Sequence, residues 1–297
     1  MSDQAFRSGF VALIGRPNAG KSTLLNQILG QKVAICSDKP QTTRNIIRGI
    51  YHGDGIQAVF VDTPGVHRGR YKLDEMMMAA VNESMGDCDV VFYLVDVTEK
   101  FGRGEEYILG RLAQLNCPVF LLLNKVDLLP PEQLLPLIDE YARRLAFAEV
   151  FPVSAKTGEN CERLLKVLAD YLPEGPPYYP ADVVTDQPEQ VFIAELIREQ
   201  ALKLTSQEIP HSVAVTIDAM EERANGLLYV LANIYLERES QKGILIGARG
   251  AMIKEIGRRA REEAERLLGC RIYLDLRVKI KKSWKDNERL LKDISQS

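Results

Sequence analysis

Long apolar stretches are missing from this chain of 297 residues. None approaches the roughly 18 consecutive apolar residues that a membrane span needs, and the longest runs, such as Val119-Phe120-Leu121-Leu122-Leu123, have the length of a strand. Cysteine and histidine are scarce. Cys36, Cys88, Cys117, Cys161 and Cys270 are dispersed without a CxxC pair, and His52, His67 and His211 are equally scattered. That argues against a disulfide framework or a structural zinc site and reads the thiols as small buried hydrophobes. The first residues, with Asp3, Arg7 and a short apolar run from Phe10 to Ile14, lack the basic region and long apolar core of a signal peptide. A cytoplasmic protein is expected. There is no internal repeat and no low-complexity tract. What remains is ordinary globular composition, 46% hydrophobic and 27% charged, at a length that suggests two domains.

The formal net charge of -3 conceals a polarity. Residues 240–285 hold 13 Lys and Arg against 5 Asp and Glu, a local balance of +8 that leaves -11 for the rest. Such a basic block suits an anionic partner, either nucleic acid or a lipid surface; a solvated helix face balanced elsewhere explains it equally well. Between Leu172 and Gln190 the chain carries Pro173, Pro176, Pro177, Pro180 and Pro188. Proline has no amide donor and restricts the residue before it, so neither helix nor central strand runs through. The expected division is a domain over 1–172, a semi-rigid linker over 173–190, and a second domain over 191–297 with a C-terminal tail.

In the first half, apolar runs recur at Phe10–Ile14, Ile56–Val61, Val90–Val95, Val119–Leu123 and Val150–Val153, separated by helix-compatible segments. Continuous apolar strands alternating with helices signify an α/β domain with a mostly parallel sheet covered on both faces. Functional residues belong at the carboxyl ends of such strands. The motifs fall there. Gly15-Arg16-Pro17-Asn18-Ala19-Gly20-Lys21-Ser22 matches G-x-x-x-x-G-K-S between a strand and the helical run that opens at Thr23. Its glycines let backbone amides converge on phosphate oxygens, the helix adds its positive end, Lys21 supplies a point charge, and the Ser22 hydroxyl can ligate Mg²⁺. Asp62-Thr63-Pro64-Gly65 ends the next strand; the acid can hold Mg²⁺ through water and the Gly65 amide can meet a γ-phosphate. Asn124-Lys125-Val126-Asp127 offers a carboxylate that suits the two donors of guanine and would be left unpaired by adenine. In Ser154-Ala155-Lys156 the Ala155 amide could donate to the guanine carbonyl.

GRPNAGKS, DTPG, NKVD and SAKTG, in this order and spacing, resemble the G1, G3, G4 and G5 boxes of the translation-factor-like GTPases, and Gln41-Thr42-Thr43-Arg44 is similar to the G2 box of the Era family. The resemblance implies GTP and GDP as ligands, a P-loop GTPase fold, and a threonine that joins Ser22 and Asp62 on Mg²⁺; Thr43 is the choice, with Thr42 as the alternative. Lys21, Thr43 and Gly65 are then the catalytic residues. Val66 stands where a Ras-type glutamine would orient water, so slow intrinsic hydrolysis is expected. Related GTPases use a P-loop asparagine to coordinate a stimulating K⁺; Asn18 matches that position, and simple support of the loop is the other reading.

Beyond the linker, Phe192, Leu196, Ile197 and Ala201 keep helical spacing, Val213, Val215 and Ile217 alternate as a strand, and Gly226–Glu237 reads as a second. Lys242–Leu268 contains the helical stripe Ile253, Ile256, Ala260, Ala264 and Leu267, and Arg271–Ile280 closes as a strand. The order is α-β-β-α-α-β. Gly247-Ala248-Arg249-Gly250, between the last two helices and followed by Ile-x-x-Ile, resembles the GxxG loop of a smaller α+β KH domain of type II, which clamps single-stranded nucleic acid by its backbone. Lys242, Arg249, Lys254 and Arg258 are candidates for phosphates, and some combination of Ile244, Ile246, Met252 and Ile253 for bases. The combination resembles the Era family over nearly the whole chain. The family implies a monomeric GTP-controlled factor that binds the 3′ end of 16S rRNA, not DNA, and assists maturation of the small (30S) ribosomal subunit, with peripheral association to the inner face of the membrane. A GTP-regulated membrane-binding module is the rival reading.

Asp127→Asn is expected to lower the preference for GTP over ATP by about tenfold to a hundredfold, because charge-assisted hydrogen bonds to the base are lost. Competition binding with the two nucleotides measures it; an unchanged ratio contradicts the assignment.

Overall fold

The computed structural model describes residues 5–39, 41–66, 71–205, 209–224 and 226–296. Of these, 5–34, 43–66 and 76–186 cluster as one unit, and 35–42, 71–75 and 187–296 as another.

The first unit is built on β1 (Arg7–Gly15), β2 (Ile47–Gly53), β3 (Ile56–Asp62), β4 (Val90–Asp96), β5 (Val119–Asn124) and β6 (Glu149–Val153), in sheet order β2-β3-β1-β4-β5-β6. All neighbours are parallel except β2 and β3, which form a hairpin. Consecutive strand residues face opposite sides, and both sides are covered. Val11 and Leu13 join Phe60, Phe92 and Phe120 under α1 (Lys21–Leu29) and α5 (Cys161–Tyr171), whereas Ala12 and Ile14 join Val91, Tyr93 and Leu121 under α2 (Lys72–Gly86) and α3 (Arg103–Leu112). Two buried faces are why these strands read as unbroken apolar runs. The short helix α4 (Leu134–Ala142) leads into β6.

Strand β2 is absent from the sequence expectation. It lies at the sheet edge, carries Arg48 and His52, and lacks an apolar run. At Gly49 the strand passes close to α1, and a Cβ there would meet Leu29 Cδ1 at 2.6 Å, so that side chain would have to shift. The proline segment docks along this edge. Ile50 N–H donates to the Val184 carbonyl (2.8 Å), and the buried Gln57 side chain accepts from the Tyr178 and Tyr179 amides (2.7 and 3.0 Å) while donating to the Tyr179 carbonyl (2.8 Å). Covering an edge in this way removes a template for unwanted strand pairing.

In the second unit, β7 (Ala214–Glu222), β8 (Leu227–Leu236) and β9 (Arg271–Ile280) pair in that order, the first pair antiparallel and the second parallel. α6 (Glu189–Leu204) and α9 (Ala251–Leu268) bury Leu196, Ile197, Ile256, Ala260 and Ala264 with Val215, Val230, Ala232 and Ile234 of the sheet. α7 (Ile209–Ser212) and α8 (Glu239–Ile246) complete the order read from sequence, with α7 an added turn. The tail is a helix, α10 (Glu288–Gln296), anchored by fully buried Trp284, whose Nε1 donates to the Ser212 carbonyl at 2.9 Å. Residues 71–75 pack in this unit too: Lys72 pairs with Glu288 at 2.5 Å, and Lys285 lies 4.8 Å from the Tyr71 ring centre.

The cysteines correct one expectation. Only Cys161 is buried; Cys36, Cys88, Cys117 and Cys270 are half-buried, so burial as small hydrophobes holds for one of the five. All are free thiols. Among the described residues no His, Cys, Asp and Glu cluster could hold a metal, and no helix is long and apolar enough to cross a membrane. His67 and the side chain of His211 lie outside the described residues.

Phe120 is fully buried and packs on Phe92, Phe151 and Tyr171, with ring centres 5.4, 6.2 and 4.8 Å away. Phe120→Ala is expected to destabilise the first unit by about 3–5 kcal/mol. Denaturant unfolding followed by circular dichroism measures this, and a loss under about 1 kcal/mol would refute the packing described.

Candidate functional site

Gly15 ends β1 with its Cα so close to β4 that a Cβ would meet the Leu94 carbonyl oxygen at 2.5 Å. From there the chain turns through Asn18 (φ 64°) and Gly20 (φ 97°) into α1. Asparagine tolerates the left-handed region better than most residues, so its place here has a backbone reason independent of any ion. The loop ends at Lys21, which is buried; its Nζ folds back onto the Gly15 and Arg16 carbonyls at 3.2 and 3.1 Å. Arg16 itself turns away to Glu105 of α3 at 3.0 Å. Thr23 is half-buried in the first turn of α1.

Asp62, fully buried at the end of β3, faces Lys21 and Ser22. Ser22 Oγ donates to Asp62 Oδ2 at 2.6 Å and lies 2.9 Å from Thr43 Oγ1, which is 3.4 Å from the same carboxylate oxygen. Thr42 points elsewhere: its hydroxyl donates to the Lys39 carbonyl at 2.6 Å. Of the two adjacent threonines only Thr43 belongs to the triad. Asp62 Oδ1 is buried with no hydrogen-bond partner among the described residues. Three hard oxygen donors about one octahedral edge apart, roughly 3 Å for ligand bonds near 2.1 Å, with an orphaned carboxylate oxygen, fit Mg²⁺ by chemistry and spacing. Burial pushes the Asp62 carboxyl up to about 6, opposed by Lys21 and by the hydrogen bonds from Ser22 and Thr43, and burial draws Lys21 down to about 8, opposed by Asp62.

Thr63 is pinned by its hydroxyl to the Leu13 carbonyl (2.7 Å), and Pro64 is buried beside it. Gly65 passes the P-loop so closely that a Cβ would meet Pro17 N at 2.6 Å. Val66 donates its amide to the Gly15 carbonyl (3.1 Å) and buries its side chain in the core with Ile14 and Val91. Positions 67–70, which follow, lie outside the described residues.

Asn124 stitches three loops together. Its Nδ2 donates to the Ala19 carbonyl at 2.7 Å and its Oδ1 accepts from the Ala155 amide at 2.9 Å. The sequence reading assigned that amide to a guanine carbonyl; here it is committed to Asn124, because the last strand ends level with β5 and brings the amide onto the asparagine oxygen. Lys125, in the left-handed region at φ 71°, pairs with Asp96. Exposed Asp127 accepts from the buried Ser154 hydroxyl at 2.6 Å, and Lys156 is exposed beside it in sequence. Residues 15–23, 62–65, 124–127 and 154–156 thus form one contiguous face at the strand ends.

The nucleic-acid candidates lie in the second unit. Gly247 (φ 72°) has no room for a side chain, since a Cβ would meet Met252 Cβ at 2.7 Å, and Arg249 (φ 52°) and Gly250 (φ 79°) are also left-handed. Ala248 and Arg249 are exposed, as is Lys254, and Lys242 is half-buried. Arg258 departs from expectation: its guanidinium is engaged by Glu255 at 2.8 and 3.0 Å and by Glu262 at 2.8 and 2.9 Å. Much of the basic charge of α9 is spent in this way on carboxylates three or four residues away. A groove of about 360 Å³ runs beside the loop, lined by Ile253, Lys254, Gly257, Arg258, Arg261, Leu274 and Leu276. Ile253 lines the groove and also packs on the core, as Met252 does, and Ile244 is exposed. Gly257, Leu274 and Leu276 were missed in the sequence, although a glycine inside a helix is a signal of close approach; a Cβ there would meet Leu276 Cδ1 at 3.2 Å.

Two families match the chain: one described as 50S ribosome-binding GTPase over residues 10–125, the other as KH domain over residues 208–285. The protein called GTPase Era of Lactobacillus delbrueckii subsp. bulgaricus is 54% identical over 288 residues, covering 97% of this chain and 95% of that one. GTPase Era of Geotalea daltonii is 50% identical over 293 residues, 99% of each. The crystal structure of an Era in complex with MgGDPNP and nucleotides 1506–1542 of 16S ribosomal RNA superposes with a TM-score of 0.95 at 37% identity, over 98% of this chain and 99% of that one. An Era variant from Aquifex aeolicus bound to GDP and AlF4⁻ gives 0.94 at 37% identity, over 98% and 100%.

Asn124→Ala removes two buried hydrogen bonds and strands both partners, and is expected to cost about 2–4 kcal/mol of stability in the first unit. Equilibrium denaturation checks this; a change within about 0.5 kcal/mol would contradict the clasp.

Proposed function

Because the chain belongs to the Era family of GTPases, and so hydrolyses GTP to GDP and phosphate, we propose that it is a nucleotide-controlled switch whose KH domain binds the 3′ end of 16S rRNA and serves assembly of the small ribosomal subunit. One observation carries the reading: residues 35–42 pack with the C-terminal unit and run directly into Thr43 of the Ser22–Asp62 triad.

In this reading the amides of residues 15–22 cradle the phosphates and Lys21 exchanges its two backbone carbonyls for phosphate oxygens. Ser22, Thr43 and Asp62 hold Mg²⁺, which when bound neutralises charge on the β- and γ-phosphates. The Gly65 amide meets the γ-phosphate, and Asp127, oriented by Ser154, reads the guanine edge. Water attacks the γ-phosphorus and the bond to the bridging oxygen breaks, leaving GDP. Val66 offers no side-chain hydrogen bond to that water, so unassisted turnover is slow; Asn18 is the proposed ligand for a stimulating K⁺. Loss of the γ-phosphate frees Thr43 and Gly65, and the segments attached to them relax.

On the RNA side, Lys242, Arg249 and Lys254 have no carboxylate partner among the described residues, which leaves their charge for phosphates, and Ile253, Leu274 and Leu276 offer the groove an apolar lining for bases. The RNA is carried over from the relative crystallised with nucleotides 1506–1542 of 16S ribosomal RNA.

Lys21→Ala is expected to abolish nucleotide binding while RNA binding persists. Arg249→Ala and Lys254→Ala should each weaken single-stranded RNA several-fold and flatten the dependence of log affinity on log salt by about 0.7. Filter binding across a salt series, with vesicles of anionic lipid in parallel, tests both. Salt-sensitive lipid binding without any preference for RNA would overturn the reading.

A further inference from the structure

Helix α6 is buried around most of its circumference, yet its middle carries Glu195, Arg198, Glu199 and Gln200, all buried. Charges at such depth persist only with partners. Arg198 is 2% exposed. Its Nε donates to Glu195 at 2.8 Å, and one terminal nitrogen donates both to that carboxylate and to the Thr42 carbonyl. Its other terminal nitrogen is buried with no partner among the described residues. Glu199, fully buried, accepts the Cys36 amide at 3.0 Å and pairs with Lys203 at 3.0 Å. Ile35 is buried in the same core as Leu196 and Ile197. Two backbone groups near the ends of the 36–42 segment are therefore held by ionised side chains of one helix.

The orphaned nitrogen makes Arg198 a costly way to fill this space, so packing alone does not account for it. Its geometry does something specific. The carbonyl it holds belongs to the peptide joining Thr42 to Thr43, and that peptide is planar. Fixing the carbonyl direction fixes the Thr43 N and Cα, the base from which its side chain reaches. That hydroxyl stands 2.9 Å from Ser22 Oγ and 3.4 Å from Asp62 Oδ2.

We propose that Arg198 is a positioning residue for GTP hydrolysis: through the Thr42 carbonyl it sets Thr43 for the divalent cation, with Glu195 as its anchor and Glu199 as the clamp at the far end of the segment. The assignment rests on the reading of Ser22, Thr43 and Asp62 as the cation triad. Arg198 touches neither nucleotide nor metal in this scheme; it acts on the segment before Thr43.

The test uses the full-length protein with Arg198→Met, Arg198→Lys, Glu195→Gln and, as a control on the triad, Thr43→Ala. GTP hydrolysis is titrated with Mg²⁺, and amide hydrogen exchange is followed by mass spectrometry over residues 35–43. Arg198→Met is expected to raise the half-saturating Mg²⁺ concentration about three- to tenfold, lower kcat, and accelerate exchange at Cys36 and its neighbours at least tenfold, while nucleotide affinity measured in EDTA stays within twofold. Arg198→Lys, which keeps a donor for the carbonyl, should recover part of the Mg²⁺ response, and Glu195→Gln should fall between. A folded Arg198→Met with wild-type Mg²⁺ response and exchange, alongside an impaired Thr43→Ala, overturns the role of Arg198 alone. Should Arg198→Met fail to fold, wild-type behaviour of both Arg198→Lys and Glu195→Gln overturns it. An unimpaired Thr43→Ala instead brings down the cation triad itself.

Discussion

A fully buried carboxylate with one oxygen unpartnered among the described residues is the constraint on which the rest of this structure turns. Asp62 is fully buried, its ionised form is disfavoured enough to bring the group up to about 6, and what restrains the rise is Lys21 with the hydroxyls of Ser22 and Thr43. A raised folded value means that ionisation costs stability, a cost that grows as pH climbs from the ordinary carboxylate range through about 6. Something positive at that spot offsets the cost. In the proposed reading, the divalent cation on Ser22, Thr43 and Asp62 would offset that cost.

The framework around Asp62 explains why the loops can be sensitive without being slack. Gly15 and Gly65 stand where a Cβ would collide with backbone at 2.5 and 2.6 Å, so β1, β4 and the P-loop approach as closely as backbone allows. Asn124 then binds the P-loop to the loop after β6 through both ends of its amide. Thr43, by contrast, follows a segment whose residues 36 and 42 are fastened to α6.

Much of this was legible in sequence, for physical reasons that differ by element. The GRPNAGKS loop announces itself because almost every position answers a backbone or phosphate demand, and the buried strands do because two covered faces leave no polar alternation. The GxxG loop and the α-β-β-α-α-β order were equally readable from glycine placement and helical stripes. Edge strand β2 was not, because Arg48 and His52 break its apolar character. Nor was α10, nine residues long, where Leu290, Leu291 and Ile294 are too few to declare a period. The docking of the proline segment depends on Gln57 and Ile50, more than 100 residues upstream. Glu195, Arg198 and Glu199 were not singled out in sequence; they are buried with partners on their own helix and on residues 36 and 42. Arg258 misled in the opposite sense, since its charge is met by its own helix.

The proposed function makes a thermodynamic claim: nucleotide state and RNA affinity are linked, and such coupling must be reciprocal. Isothermal titration of one RNA, the 3′-terminal segment of 16S rRNA, against protein loaded with a non-hydrolysable GTP analogue and with GDP measures it directly. The two affinities are expected to differ by about fivefold to a hundredfold, with RNA shifting the analogue-to-GDP preference by the same factor. Equal affinities for RNA in the two states would contradict the account.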